Sequence, residues 1–437
     1  MIKELNIDVK HVTRVEGHGN IVVNARDGKV EKVQWQVPEA PRFFEAMIRG
    51  RSYEDIQTIV SRICGICSIS HSLVATKAVE AALGIEVSKQ TDLIRRLLHY
   101  SEQLQSHVLH IGYLAAPDFF GVKSVVPLVG LAKDAVLTIV RAHRVANEWS
   151  ELIGGRVTHP ITLIPGGFTR VPSEQQFRHL EQRLRETMAD IGAIADVVHS
   201  VAGEVPAFER DTEYVSLRES SVYSFYDGQI VSTDGYTAEI DDWESVANEY
   251  VVDQSTAKWA KWHRDSYAVG ALARFNNNFS QLSDSAKALA GRFGFKQGCC
   301  NPYMNTVAQL VECAEIAESS LRIIDELLSV GVVEEKVSVK PRAGVGVAAV
   351  EAPRGILFHK YEFDGDGKCV AGNLCIPTNQ NHANIQNDFE KLVPEIMDQG
   401  QEIVRQRLEM LVRAYDPCIS CSAHMLDVQF VGGESES

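Results

Sequence analysis

Polar and apolar positions alternate through the first 37 residues, and the segments 20–26 and 29–37 flank Asp27-Gly28, a dipeptide suited to a hairpin turn. Residues 1–38 therefore read as a small antiparallel β segment. From Pro41 the period becomes helical, through P-R-F-F-E-A-M-I-R-G-R and then onward from Ser52, an N-cap choice. The stretch 70–83 continues as helix and stops at Gly84, where a glycine can close the last turn. Between 89 and 115, apolar residues fall at 93, 94, 97, 98, 104, 108, 111 and 114, the spacing of one helix face. Helices are predicted over 131–153, 174–201, 281–292 and 305–330, and strands over 344–350 and 355–361. A last long helix is predicted over 387–415, ended by Pro417. Only 205–270 departs from this pattern. It is rich in Asp, Glu, Ser and Tyr, has short strand-like runs such as 229–232, and reads as an irregular peripheral excursion. The predicted fold is mainly α with small β-sheets near both ends (α+β), around a core of long helices.

Composition bounds the class. At 437 residues the chain exceeds one ordinary domain, and roughly 100–200 residues per domain would suggest two or three units. Apolar residues at 45% and charged residues at 23% are values of a packed globular protein, which excludes a dominantly disordered chain. Mean hydropathy is −0.10 and no run approaches the ~18 apolar residues of a membrane helix, so no membrane span is expected. The start, M-I-K-E-L-N-I-D-V-K, has no basic region followed by an apolar core, from which a cytoplasmic location is expected. Forty-three basic against fifty-eight acidic side chains leave −15, which argues against a nucleic-acid binder.

Nine cysteines are too sparse, and odd in number, for a disulfide framework. Four form two C-x-x-C pairs, Cys64 with Cys67 and Cys418 with Cys421, near opposite ends of the chain. A local zinc knuckle keeps its ligands within roughly 15–20 residues, so these pairs do not read as one. Four thiolates are soft ligands that suit zinc, Cu(I), nickel or an iron–sulfur cluster, and not magnesium or calcium. A single pair is most often structural zinc or a redox dithiol, and two distant pairs can be unrelated. The surroundings are richer than bare spacing: R-I-C-G-I-C-S-I-S-H at 62–71 and D-P-C-I-S-C-S-A-H at 416–424.

This pair of blocks resembles the signature of the nickel–iron hydrogenase large (catalytic) subunit. Three further blocks resemble that family in the same order: R-V-E-G-H-G at 14–19, E-A-P-R-G at 351–355 and I-P-T-N-Q-N at 376–381. The resemblance covers essentially the whole chain. With P-R-F-F-E at 41–45 it is most like the cytosolic, multimeric group that hands electrons to a soluble carrier.

The resemblance implies a nickel–iron centre, with CO and two cyanides on the iron. Cys64 and Cys418 would bind nickel terminally, and Cys67 and Cys421 would bridge the metals. It places Arg354 over the open face, a role suited to a cation that never deprotonates, with Pro353, Asp118 and Asp416 completing the canopy. Thr378 matches a position whose hydroxyl hydrogen-bonds a cyanide. Glu16 matches the glutamate that relays the proton left on Cys418 after H2 is split. Read without the resemblance, Glu16 is a surface residue in a hairpin. His71, one turn after Cys67, is placed to tune a thiolate, with core packing as its alternative. Glu45 and His424 match ligands of a separate magnesium or iron site, joined by a backbone carbonyl near Leu374. His99, His107 and His110 read as helix-surface or packing residues, and Cys299, Cys300, Cys313, Cys369 and Cys375 as buried thiols.

The implied activity is reversible oxidation of H2 to protons and electrons. With the paired cysteines committed to the metals, no cysteine set remains for an iron–sulfur cluster in this chain. The resemblance therefore implies an iron–sulfur small subunit, together with further electron-transfer subunits of flavin/NAD(P), ferredoxin or heterodisulfide reductase type. It also implies a maturation protease that cuts after His424 and removes 425–437. One alternative is a regulatory hydrogen-sensing subunit with the same site. Another is a relative of the quinone-site subunit of respiratory complex I, which lacks the four cysteines, and a third is a zinc protein with two independent sites. If 64–67 and 418–421 meet at one centre, the division into sequential domains gives way to one unit spanning 1–437.

Overall fold

The structure, a computed structural model, describes residues 4–423. His424 and the stretch 425–437, expected to be a processing tail, lie outside the described residues.

The strands Glu4–Val9, Asn20–Arg26 and Lys29–Gln36 form an antiparallel sheet in sequence order. Leu5, Ile7 and Val9 on the first strand, and Ile21, Val23 and Ala25 on the second, are the buried alternate positions. Asp27 and Gly28 have φ of 49° and 77°, the two left-handed positions of a tight hairpin. The third strand joins this sheet to the C-terminal half. Trp35 is buried, its backbone N–H donating to Gln386 Oε1 at 2.8 Å and its ring N–H to His382 Nδ1 at 3.0 Å.

At the centre, helix Ser68–Leu83 lies against strands Gly344–Ala352 and Gly355–Phe363 of an antiparallel sheet that Cys369–Cys375 completes. The run of Val, Gly and Ala in the first of these strands has a packing cause. A Cβ on Gly344 or Gly346 would collide with the carbonyl oxygens of Ala82 and Ala78, so glycine lets strand and helix backbones touch. The long helices Lys89–Leu109, Lys133–Gly154, Glu174–Ser200 and Asn305–Val330 pack alongside. The run predicted as helix over 89–115 is α-helical only to Leu109. His110–Ala115 is a π-helical turn, followed by Ala116–Phe119.

Two further predicted segments differ in the structure. The helix expected over 387–415 starts earlier, as Pro377–Ile396, and a break at Met397–Gln399 and Gly400 separates it from Gln401–Ala414. Pro394 removes one donor near the end of the first helix, and Gly400, at φ 100°, turns the chain. The segment 205–270 is neither irregular throughout nor peripheral. Strands Glu213–Arg218, Gln229–Ser232, Thr237–Ala238 and Tyr267–Ala268 form one sheet, with Asn248–Tyr250 and Trp259–Lys261 as a further pair. Val215, Leu217, Ile230 and Trp243 are buried with Ile356 and Phe358 in a second apolar cluster. The strand-like run 229–232 is one of these strands, whereas the two- and three-residue strands carry too few alternations to register in the sequence. Among the described residues, no helix is long and apolar enough to cross a membrane.

Candidate metal centre

The two ends of the chain converge on four sulfurs. Cys64 follows the single turn Ser61–Ile63, Cys67 precedes helix Ser68–Leu83, and Cys418 and Cys421 belong to the turn around Ile419–Ser422. All four cysteines are buried, and their Sγ atoms lie within 4.8 Å of one another. Cys64 Sγ is 3.5 Å from Cys418 Sγ, and Cys67 Sγ is 4.0 Å from Cys421 Sγ. The backbone N–H groups of Ile66 and Cys67 donate to Cys64 Sγ at 3.2 and 3.1 Å. Hydrogen bonding to Cys418, then to Cys421 and Cys67, holds the Cys64 thiol well below its ordinary range. Hydrogen bonding with Cys421 and Cys64 pushes Cys418 well up, and burial raises Cys421 to about 11. Cys64 thus favours the thiolate, whereas Cys418 and Cys421 hold protons that a soft cation displaces on binding.

The second pair is held in place by the V-E-G block. Glu16 bridges Cys418 in parallel register; Ile419 N–H donates to its carbonyl at 2.9 Å and Ser420 N–H to its Oε2 at 3.1 Å. The half-buried Glu16 carboxylate thus sits on the backbone of the second C-x-x-C. Gly17 has φ 86°, and a Cβ there would lie 2.6 Å from Ser420 N. Arg42 joins the two loops: its Nη2 donates to Ile63 O and to Ser420 O, each at 2.6 Å.

Arg354 stands beside these sulfurs and is 4% exposed. Its Nε donates to Asp416 O at 2.5 Å, its Nη2 to Asp416 Oδ1 at 2.8 Å and its Nη1 to Ser106 Oγ at 3.3 Å. Burial opposes its charge, but Asp416 and the neighbouring thiols outweigh that and raise its pKa. Asp416 is in the left-handed region at φ 49°, and its Oδ2 accepts from Gln309 Nε2 at 3.1 Å. Thr378 Oγ1 accepts the N–H of Cys418 at 3.1 Å. A small cavity beside the sulfurs is lined by Cys67, His71, Pro353, Arg354, Thr378 and Cys418, among others. His71 Nδ1 lies 3.3 Å from His359 Nε2, and His359 Nδ1 lies 2.6 Å from the hydroxyl of Tyr361.

The family model described as nickel-dependent hydrogenase matches residues 42–135 and 185–424, and one described as HoxL-like matches 6–40. The chain belongs to the nickel-dependent hydrogenase family. The alpha subunit of sulfhydrogenase 2 of Pyrococcus furiosus is 31% identical over 426 residues, covering 96% of this chain and 99% of that one. An F420-non-reducing hydrogenase subunit from Methanothermobacter marburgensis is 30% identical over 466 aligned positions, covering 97% of this chain and 96% of that one. A solved NAD+-reducing NiFe-hydrogenase in its H2-reduced state superposes with a TM-score of 0.86 at 27% identity, over 96% of this chain and 99% of that one. The NiFeSe-hydrogenase of Dm. baculatum, at 24% identity and a TM-score of 0.77, shares the fold.

Nickel and iron are held well by soft thiolate donors, and four buried thiols supply such a set. Among the described residues, these cysteines are the one group of three or more His, Cys, Asp or Glu side chains placed to hold a metal ion. The expected neighbours Glu16, His71, Pro353, Arg354, Thr378 and Asp416 are brought to this site; Asp118 is not among the partners of Arg354. Asp118, just after the π-helical turn, instead takes Arg413 on both carboxylate oxygens at 2.6 and 2.9 Å and pairs with Arg14. Glu45 is buried in a different place, its Oε1 accepting Leu374 N–H at 2.8 Å. Its expected companion His424 is outside the described residues.

Arg42, Ser106 and Gln309 were not singled out in the sequence. Arg42 lies within P-R-F-F-E, so a signal was present but no role was assigned; Ser106 and Gln309 carried none. Glu102 was also missed. It is buried, its carboxylate accepts the N–H groups of Ile69 and Ser70 at 2.6 and 2.8 Å, and burial raises its pKa to about 8. Three histidines assigned no role, His99, His107 and His110, are buried, and burial lowers His99 to about 3. Of the five remaining cysteines, Cys313, Cys369 and Cys375 are buried, whereas Cys299 and Cys300 are only partly so.

Proposed function

We propose that this chain is the catalytic subunit of a nickel–iron hydrogenase that oxidises H2 reversibly to protons and electrons. The observation that carries the reading is the meeting of four buried thiols from opposite ends of the chain beneath one fixed guanidinium. Cys64, Cys67, Cys418 and Cys421 would hold the nickel–iron centre, which supplies a soft acceptor for the electrons of H2. Arg354, kept charged by Asp416, presents a fixed cation that orients and polarises a small ligand in a water-poor cavity. Thr378 fixes the N–H of Cys418 and, with Pro353, walls that cavity. Cys418 takes the proton, and Glu16, anchored on the backbone of the same pair, passes it toward solvent. His71 lines the same cavity as Cys67 and would tune that thiolate from there. Glu45, with His424, would hold a magnesium or iron ion that ties down the C-terminus.

Electrons leave through an iron–sulfur small subunit, then through further electron-transfer subunits to a soluble acceptor, in the cytoplasm. A protease would remove 425–437 after His424 during maturation. Support for this assembly comes from relatives whose names are those of single subunits of hydrogenases. The test is anaerobic H2 oxidation by the purified, nickel-loaded complex with a viologen dye. Turnover is expected, and a nickel-loaded complex without activity would overturn the proposal.

A further inference from the structure

We infer that Arg274 is a positioning residue for Arg354, an inference that rests on the hydrogenase reading of the site. Arg274 is fully buried on helix Ala271–Asn278 and is not among the residues lining the cavity beside the sulfurs. Its Nε and Nη2 donate to Glu312 Oε1 and Oε2 at 2.6 and 2.7 Å. Its Nη1 donates to Glu351 Oε2 at 3.0 Å and to Ala352 O at 3.0 Å, and its Nη2 to Pro353 O at 3.1 Å. One guanidinium thereby fixes three consecutive residues, 351 to 353, immediately before Arg354. Five N–H donors meet five acceptors, the full capacity of the group.

The anchors are themselves held. Glu312 is bonded to His107 Nε2 and to the Tyr223 hydroxyl, each at 2.7 Å, and Glu351 Oε1 accepts Leu217 N–H at 2.7 Å. The far side of Arg354 rests on the start of the same helix. A Cβ on Gly270, at φ 116°, would come within 3.2 Å of Arg354 O, and one on Gly355 would collide with Val269. Glu351 in the E-A-P-R-G block therefore serves the fork of Arg274 and the N–H of Leu217. The competing role for Arg274 is plain neutralisation of two buried carboxylates. The two roles separate experimentally, because a lysine supplies the charge but cannot reproduce the planar fork.

The test compares the purified complex carrying Arg274→Lys or Glu351→Gln, each in the wild-type and the Arg354→Lys background. The readouts are kcat and KM for H2, and the infrared bands of iron-bound CO and cyanide. Arg274→Lys is expected to lower kcat by about 100-fold, the usual effect of an ångström-scale misplacement, with KM for H2 within about twofold and the bands shifted. In the Arg354→Lys background the same change is expected to add less than about twofold, because its effect passes through Arg354. Equal losses in both backgrounds, or a loss below about twofold in the wild-type background, would overturn the inference. Should Arg274→Lys fail to fold, Glu351→Gln, which keeps the side chain's shape and an acceptor for Leu217, is read by the same comparison. A nickel-loaded wild type that does not oxidise H2 counts against the hydrogenase reading, not against Arg274. The infrared comparison, which needs no turnover, then decides Arg274: unshifted bands overturn it.

Discussion

Arg42→Ala separates the two loops that carry the sulfurs without touching a sulfur. Arg42 Nη2 spans Ile63 O, next to the first pair, and Ser420 O, inside the second, at 2.6 Å each. Hydrogen bonds from a charged donor contribute about 1.5–3 kcal/mol apiece. Arg42 is half-buried, so water reaches the two carbonyls once it is removed, and the lower figure applies to each. The loss is then about 3 kcal/mol in the geometry that juxtaposes the pairs, equivalent to roughly 100-fold in metal retention if all of it falls there. The assay is the anaerobic rate of nickel release to a chromophoric chelator from the loaded complex, with circular dichroism to confirm the fold. Release should accelerate up to about 100-fold in Arg42→Ala, and less in Arg42→Lys, which keeps the charge and three rotatable N–H donors on a shorter, more flexible stem. Release within about twofold of wild type, with the fold intact, would refute the clamp.

Gly17→Ala has to accommodate φ 86° and a Cβ at 2.6 Å from Ser420 N; a loss of about 2–3 kcal/mol in denaturant unfolding and reduced nickel content are expected. Asp118→Asn should destabilise by about 3–5 kcal/mol in the same measurement, since it weakens a buried carboxylate shared by Arg413 and Arg14. Its kcat should stay within about tenfold of wild type, and a far larger loss would return Asp118 to the canopy over the metals. The Glu312 carboxylate is opposed by burial, but Arg274 pulls it down to about 2 from an ordinary 4.5. A depressed acid stabilises the fold above its unfolded pKa, so this contribution, on the order of 3 kcal/mol, is complete above about pH 4.5 and fades as pH falls toward 2. Unfolding measured at pH 6 and pH 3 should show a smaller acid loss in Glu312→Gln than in wild type.

Legibility in the sequence followed a physical rule. Helix Asn305–Val330 and the Asp27-Gly28 hairpin were readable because a periodic apolar face or a turn dipeptide is a local signal. The start of helix Pro377–Ile396 was not, because the helix buries polar side chains there. Gln380 donates to Ile356 O, Asn379 to Ser422 O, and Asn381 accepts Val269 N–H, so those buried positions look solvated in the sequence. The four cysteines were legible as soft ligands from residue type, and their union at one centre from the family's paired blocks. Partners set by tertiary distance were not: nothing local distinguishes Arg413 from Arg354 as the partner of Asp118, or marks Ser106 as a neighbour of Arg354.

The central claim is that sulfurs from both ends of the chain enclose one nickel–iron centre. Nickel-edge X-ray absorption of the purified complex tests it most directly. Four sulfur neighbours and one nearby iron are predicted, with fewer sulfurs in Cys64→Ser and in Cys418→Ser alike. Nickel bound mainly by nitrogen and oxygen, or a sulfur count that only one of the two substitutions changes, would contradict the account.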